Sequence, residues 1–539
     1  MDRRSFLLGA GGAGVLAAAS AAGYWRWQEI TPHIHAAGRA EGHFLRDLRG
    51  QEALPPPSAQ IDTDIVILGS GIAGLTAAWK LHKEGQHNFL VIDGPETYGN
   101  AAGMKLAGYA CPTGAHYLPL PATNAFHVRE LLHDTGILLR NPTAAKPYYD
   151  ERFLLHEPQE RILYQGRWQE GVLPKEGVPA WELAEHERFH AEMARIQALR
   201  GADGRRLFTL PSALSSTDPQ WLALDGISFR AWMGQNGFRA PTLHWYADYC
   251  CRDDYGAGAD QVSAWAGLHY FCSRGGQAEN AADGAWLTWP GGLDPLAAAL
   301  DKAAGSRRRP GTAVSLEKMA TGVEALCFVV KDGKPQTYLV RARKAICAMP
   351  LFVAARVVRD IAGYGLDAAR HLPAYAPWMV ANFLMKSFPE ELPHAPLSWD
   401  NVVYGGKGLG YVVSTHQDVR VAPPPKTVLT AYVDMSAMAP QAARRWLQDA
   451  HPPDLLALAA SDLRAAYGPR FASLVERADI TLRAHAMASP RPGFRGNAGL
   501  QALRSVDGPI LFAHADLSGF SVFEEASWWG YQAALRALA

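Results

Sequence analysis

Residues 64–79 read Asp64-Ile65-Val66-Ile67-Leu68-Gly69-Ser70-Gly71-Ile72-Ala73-Gly74-Leu75-Thr76-Ala77-Ala78-Trp79, and a second apolar run, Leu90-Val91-Ile92-Asp93, follows. The order is strand, glycine turn, helix, strand and terminal acid. Gly69 permits the tight turn, Gly71 lets the backbone approach a pyrophosphate, and Gly74 lets the helix pack close against its strand. The helix start presents unpaired N–H groups and a partial positive charge to the phosphates. An acid about 20 residues beyond the glycines stands where it can accept hydrogen bonds from ribose hydroxyls, and Asp93 fills that place. A glycine triplet alone can be an ordinary turn. Here the strand before it, the helix after it and the acid at this spacing together predict a dinucleotide site.

Four further blocks lie downstream in order. The first is Asp93-Gly94-Pro95-Glu96-Thr97-Tyr98-Gly99-Asn100-Ala101-Ala102-Gly103 with Gly114-Ala115-His116-Tyr117. Trp289-Pro290-Gly291-Gly292-Leu293-Asp294 and Arg341-Ala342-Arg343-Lys344-Ala345-Ile346-Cys347-Ala348-Met349-Pro350 follow. The last is Gly508-Pro509-Ile510-Leu511-Phe512-Ala513-His514-Ala515-Asp516-Leu517-Ser518-Gly519. Together with the glycine turn they make the chain resemble the flavin-dependent amine oxidases and their phytoene-desaturase-like relatives. The resemblance implies an α/β fold: a Rossmann-type FAD-binding domain with a discontinuous α+β substrate domain. It implies non-covalent FAD, since no Cys stands in a C-terminal attachment context. The implied cofactor contacts are Gly69, Gly71, Ile72, Ala73, Gly74, Asp93, Gly94, Gly99, Ala101, Gly114, Ala115, His116, Tyr117, Val314, Ala515, Asp516 and Phe523.

The chain departs from the family pattern at three places. Asn100 stands where the second glycine of the loop is usual, and the arginine that closes this loop is missing, with Met104 and Lys105 nearby. Asp93 replaces the more frequent Glu. Asn382, in Trp378-Met379-Val380-Ala381-Asn382-Phe383, aligns with a lysine that many amine oxidases place near the flavin, the nearest lysine being Lys386. That substitution predicts slow reaction of reduced flavin with oxygen and an acceptor other than oxygen.

The N-terminus, Asp2-Arg3-Arg4-Ser5-Phe6-Leu7-Leu8 followed by a Gly/Ala-rich apolar run to Gly23, resembles a twin-arginine export signal, with Ala19-Ser20-Ala21 as a cleavage site. The expectation is a periplasmic protein exported already folded, with the export machinery as partner. Residues 6–22 are the segment that would anchor an uncleaved chain to the membrane, although the run is short of the ~20 apolar residues of a spanning helix.

The chain has 539 residues, 48% of them hydrophobic, enough for two intertwined domains. Lys+Arg and Asp+Glu are both 52, and this balance recommends neither nucleic acid nor an anionic membrane surface as partner. The six Cys, including adjacent Cys250 and Cys251, show no metal-ligand spacing, so no metal is expected. Buried thiols are the default, with disulfides open in an oxidising compartment. The tract Ser306-Arg307-Arg308-Arg309 reads as a solvated loop.

The expected organisation is a signal at 1–23, a linker at 24–60, an FAD-binding domain at 61–147, 285–350 and 492–539, and a substrate domain at 148–284 and 351–491. The substrate segments concentrate aromatic and acidic residues, as in Trp245-Tyr246-Ala247-Asp248-Tyr249-Cys250-Cys251-Arg252-Asp253-Asp254-Tyr255, in Ser398-Trp399-Asp400-Asn401 and in Ser414-Thr415-His416-Gln417. Aromatic faces attract cations and a carboxylate pairs with an ammonium, so these blocks predict a pocket for a cationic small molecule. The same residues can equally be core anchors and internal ion pairs. Arg252 is expected to pair internally with Asp253 or Asp254, whereas for Asp400 and His416 both readings stand open.

Candidate catalytic residues are His416 as base, Asp400 and Glu524 as acids holding an ammonium, and Asn382 beside the flavin. His514 is expected as a flavin neighbour, and one of Glu524 and Glu525 as a helix-start charge. The leading expectation is an exported FAD oxidoreductase that takes hydride from an amine, with polyamines as a candidate class. The alternatives are a desaturase-like flavoenzyme for an apolar substrate and a non-catalytic flavin subunit of an envelope complex.

Overall fold

The computed structural model describes residues 27, 29–47, 54–331, 334–391, 395–422 and 424–539. The twin-arginine segment 1–23, with its anchor run 6–22, lies outside the described residues.

The strand Gln60–Leu68 and the strand Phe89–Ile92 end in fully enclosed apolar residues, as parallel strands covered on both faces do. They pair in parallel, Ile67 opposite Val91, at the centre of a seven-stranded sheet. Strand Lys334–Cys347 flanks Gln60–Leu68 in parallel, and strand Ile510–Phe512 adds beyond it. The strands Thr312–Lys318, Val323–Lys331 and Lys334–Cys347 form an antiparallel meander. Helix Ile72–Lys83 is buried from Ile72 to Leu81, because the C-terminal helix Phe523–Leu538 covers the side turned away from the sheet. The two helices approach closely at Gly530, where a Cβ would lie 2.1 Å from the Ala73 carbonyl oxygen.

A second, eight-stranded sheet runs in the order His33–His35, Val475–Ser489, Ala374–Met385, Thr427–Asp434, Tyr411–Val413, Asp400–Val403, Glu160–Tyr164, Arg167–Glu170. Alternation along Ala374–Met385 sends Met379, Ala381, Phe383 and Met385 into a core with helices from segment 440–474. Ala376, Trp378 and Val380 face the other way, toward Tyr249, Trp399 and Tyr432. Helices Ala180–Ala198, Phe229–Gln235, Pro241–Tyr255 and Ala264–Ser273 pack on one another over that side.

The first sheet draws its strands from 60–92, 308–347 and 510–512, and the second from 33–35, 160–170 and 374–489. Segment 148–284, read as helical, also contributes the hairpin Glu160–Tyr164 and Arg167–Glu170 to the second sheet. The stretch expected as an extended linker holds a strand and a helix. His33–His35 pairs in parallel with Val475–Ser489, and His35 Nε2 lies 2.8 Å from the buried Asp479 carboxylate. Helix Arg39–Asp47 then packs Phe44 on Phe328 of the first sheet, with ring centroids 5.0 Å apart. The open edge of a sheet and a buried acid both require partners, and this segment supplies them.

All six Cys are buried and unbonded, so the disulfides left open by the sequence do not form. Among the described residues no helix is long and apolar enough to cross a membrane, and no group of His, Cys, Asp and Glu is arranged to hold a metal ion.

Candidate functional site

The cradle is built from backbone. Gly69 adopts φ +116°, and a Cβ there would lie 2.8 Å from the Ala348 carbonyl oxygen. A Cβ on Gly74 would lie 1.9 Å from the Gly69 carbonyl oxygen, so the turn and the helix close on each other only with glycine at both places. Gly71 differs: its Cβ direction meets nothing within 4 Å. Gly71 is also the N-cap of helix Ile72–Lys83 and carries no side-chain cap. The first-turn amides therefore have no capping acceptor and face open space, which suits a pyrophosphate. Ile72 and Ala73 are buried behind that turn.

Gly99, at φ +55°, faces the first turn, where a Cβ on it would lie 3.8 Å from the Gly71 Cα. Ala101 is buried beneath it, and Gly94 opens at φ +79° with free space at its Cβ. Gly114 packs against Asn100, a Cβ there falling 2.2 Å from the Asn100 carbonyl oxygen, and leaves Ala115 exposed. The loop-closing arginine missing from the local sequence comes from the other domain. Arg483 pairs with Glu96 at 2.8 and 3.0 Å, and donates to the carbonyls of Thr113 and Gly99 at 2.9 and 3.3 Å. Its signal was out of reach of local reading, since 387 positions separate it from Glu96.

Asp93 sits at the end of its strand with Arg308 Nε donating to Oδ1 at 2.7 Å. Arg308 is thus no solvated loop residue. Arg308–Arg309 forms a short parallel strand beside Phe89–Ile92, and Arg308 also pairs with Asp301. Val314 lies at a β-bulge: Ala313 pairs with Cys327 and Ser315 with Leu326, so the ladder skips Val314 and leaves its backbone outside the pairing. At the C-terminal motif Asp516 is enclosed, one oxygen accepting the Leu351 N–H at 2.9 Å and the Tyr375 hydroxyl at 2.6 Å, and Ala515 is buried beside it. His514 Nδ1 lies 3.2 Å from the other Asp516 oxygen. Phe523 packs with Ile72, Leu75 and Ala101. The open Gly71 turn, its uncapped helix and the Val314 bulge fit a dinucleotide.

Beside the cradle stands an aromatic chamber. His116 stacks on Tyr432 at 4.5 Å and approaches Trp399 at 5.3 Å, while Tyr117 meets Trp286 edge-on at 4.7 Å. Burial pulls His116 down to about 3, so its imidazole is neutral. Four carboxylates join these rings. Tyr117 donates to Asp253 Oδ2 at 3.0 Å, Asp254 is ion-paired with Arg274, and Asp400 and Glu160 face each other across paired strands. Burial, then the charge of Asp254, pushes Asp253 up to about 7. Burial raises Asp400 well above the usual carboxylate range, with Glu160 and Asp253 adding repulsion. Burial likewise raises Glu160. Asp253, Asp400 and Glu160 are each half-buried. Arg274 is bonded to Asp254, and no basic group reaches Asp400, Glu160 or Asp253 within ion-pair distance among the described residues.

Four other charged residues singled out from the sequence approach this group or fall away from it. Glu524 is buried with no basic partner in bonding range, and burial raises it to about 7, with Arg274 opposing and Asp254 reinforcing the shift. Glu525 is bound into the scaffold, accepting the Ser212 N–H at 2.5 Å and the Ser518 hydroxyl. Asp248 pairs with Arg230 at 3.2 Å. Arg252 forms the expected internal ion pair, but with Asp434 at 2.7 Å rather than with Asp253 or Asp254.

His416 is corrected. His416 lies beyond the strand Tyr411–Val413, its Nε2 2.9 Å from the His156 carbonyl oxygen, while the adjacent Gln417 donates to the carbonyls of Arg152 and Leu154. The pair clamps the 152–156 segment, and burial lowers the His416 pKa, so nothing places it as a base among the acids. Asn382 is 0% exposed and fully bonded, Nδ2 donating to Pro112 at 2.9 Å and Oδ1 accepting from Thr430 at 2.6 Å. A buried amide must be satisfied, and on the same strand face as Trp378 this one is tied to the strand Tyr109–Pro112 and to Thr430. The donor without a partner on that strand is Trp378 Nε1, four residues earlier on the chamber face. Glu160, Arg274, Trp286 and Tyr432 were not singled out from sequence, because each sits in an unremarkable strand or helix and acquires meaning only through pairing.

A glycine-turn dinucleotide domain closed by a mixed-sheet domain defines a two-domain, Rossmann-like dinucleotide-binding protein. The family profile described as NAD(P)-binding Rossmann-like domain matches residues 67–135. D-amino acid dehydrogenase of Vibrio atlanticus is 44% identical over 64 residues, spanning 11% of this chain and only 15% of that protein. A putrescine oxidase with redesigned cofactor binding superposes with TM-score 0.61 at 15% identity, covering 89% of this chain and 99% of that one. Cyclohexylamine oxidase from Brevibacterium oxydans gives 0.60 at 17%, over 88% and 98%. A fatty acid isomerase from P. acnes gives 0.56 at 14%, over 88% and 98%. At these identities the likeness establishes a shared fold.

Proposed function

We propose that this chain is an FAD-dependent oxidoreductase acting on a cationic amine, with a di- or polyamine as the preferred class. The observation that carries the reading is the chamber itself: Asp400, Glu160 and Asp253 line an aromatic enclosure without a cationic partner. The amines that the putrescine and cyclohexylamine oxidases are named for agree with it, and those proteins share the fold. FAD, held by Gly69–Gly74, Asp93, the Gly99–Ala101 loop and the Ala515–Asp516 motif, would supply the two-electron acceptor. The chain's own residues do the rest. Trp399, Tyr432 and Tyr117 exclude water and attract the cation through their faces, and Asp400 with Glu160 replaces the hydration that the ammonium loses on entry.

Raised carboxylates make recognition pH-dependent. Below pH 7 Asp253 holds its proton and offers less charge, so affinity for a diamine is expected to rise as pH increases through 7 and to level above it. Anaerobic titration of the flavin absorption with mono-, di- and polyamines at several pH values measures this. Bleaching by an apolar or carboxylate substrate but by no amine would replace this reading with the desaturase-like alternative.

Export by the twin-arginine route belongs to the proposal and rests on Arg3-Arg4, Phe6 and the weakly apolar run after them. Arg3→Lys combined with Arg4→Lys is expected to retain the protein in the cytoplasm. An unchanged periplasmic fraction would remove the signal from the account.

A further inference from the structure

A second cavity, of about 610 Å³, lies between the helical segment 212–226, the segment 493–504 and the C-terminal Ser518 and Trp529. It shares none of the chamber residues. Two arginines on its wall are poorly satisfied. The Arg495 guanidinium lies over the Trp265 ring at 4.3 Å, and its N–H groups have no acceptor among the described residues. Arg504 donates through Nε to the Leu517 carbonyl at 2.5 Å, and Nη2 has no partner. Of the acids nearby, Asp225 accepts the Arg495 backbone N–H through Oδ2 at 2.8 Å while its Oδ1 has no partner among the described residues, and Glu525 holds Ser212 and Ser518. A largely desolvated guanidinium without an acceptor is costly, and a planar fork of donors matches an oxyanion.

We propose that this cavity is a binding site for a small oxyanion-bearing molecule, a carboxylate or a phosphate, held jointly by Arg495 and Arg504. Nothing in it depends on the amine chemistry of the chamber.

The test is isothermal titration of the protein, as purified with its cofactor, against inorganic phosphate and, separately, succinate. Saturable binding with a Kd of about 1 mM or tighter is expected for at least one anion. Arg495→Gln and Arg504→Gln are each expected to weaken it about tenfold. Binding of phosphate alone identifies a phosphate ligand, binding of succinate alone an organic acid, and binding of both an oxyanion site without discrimination. On the unmodified chain, the anion that binds should protect Arg495 and Arg504 from phenylglyoxal, read by peptide mass spectrometry, so the outcome does not hang on the variants folding. Absence of binding by both anions, or unchanged modification of both arginines at saturation, overturns the proposal.

Discussion

Gly71→Trp is expected to yield a folded protein that carries no FAD. Its Cβ direction is empty to 4 Å, so the indole has somewhere to go, and that place is where the uncapped first turn of helix Ile72–Lys83 offers its amides. Purification should give colourless material with an unchanged circular dichroism spectrum that takes up no added FAD. Gly74→Val is the contrasting variant. Its Cβ would meet the Gly69 carbonyl oxygen at 1.9 Å, a backbone clash that cannot be relieved by a rotamer change. Destabilisation of about 3 kcal/mol is expected, as for severe overpacking. The two variants separate cofactor space from packing space within one motif. Full flavin content in Gly71→Trp would place the pyrophosphate elsewhere.

Asp400→Asn should raise KM for diamines roughly a hundredfold, about 3 kcal/mol, and change KM for monoamines little, because only the former carry a second charge to be held. The same variant has a stability signature that a damaged fold would lack. Asp400 has its carboxyl pKa raised in the folded protein, so the folded state binds more protons than the unfolded one between the two pKa values. Its stability contribution is therefore present below the unfolded pKa and is lost as pH rises through the folded one. The wild type should melt lower at pH 8 than at pH 5, and Asp400→Asn should flatten that dependence. A variant that loses diamine affinity while melting at or above the wild type at pH 8 identifies Asp400 as a recognition group. Equal KM increases for mono- and diamines would remove it from that role.

The first sheet was legible because its information is local. Strand, glycine turn, helix and acid are contiguous from Asp64 to Asp93, and Gly69 and Gly74 answer to short-range steric demands. The chamber was legible only as composition. The aromatic and acidic blocks around Trp245 and Asp400 were visible, but which acid lacks a partner depends on where arginines from other segments arrive. Arg274 reaches Asp254, and Arg252 passes Asp253 to reach Asp434. His416 failed because a lone polar residue looks available until its carbonyl partner is seen. Arg483 shows the converse, a residue with no local signature that completes a loop in the other domain.

The segment from His33 to Asp47 acts as a crossbeam. Its strand is sewn to the edge of one sheet and its helix is wedged on the other, with Gly38, at φ +75°, as the bend between them. A hinge spanned on its outer side by such a tie cannot swing wide. Entry to the chamber must then come from small displacements of side chains and loops around a fixed frame, not from the two halves parting. A guest long and thin enough to be threaded fits such a frame better than a bulky one.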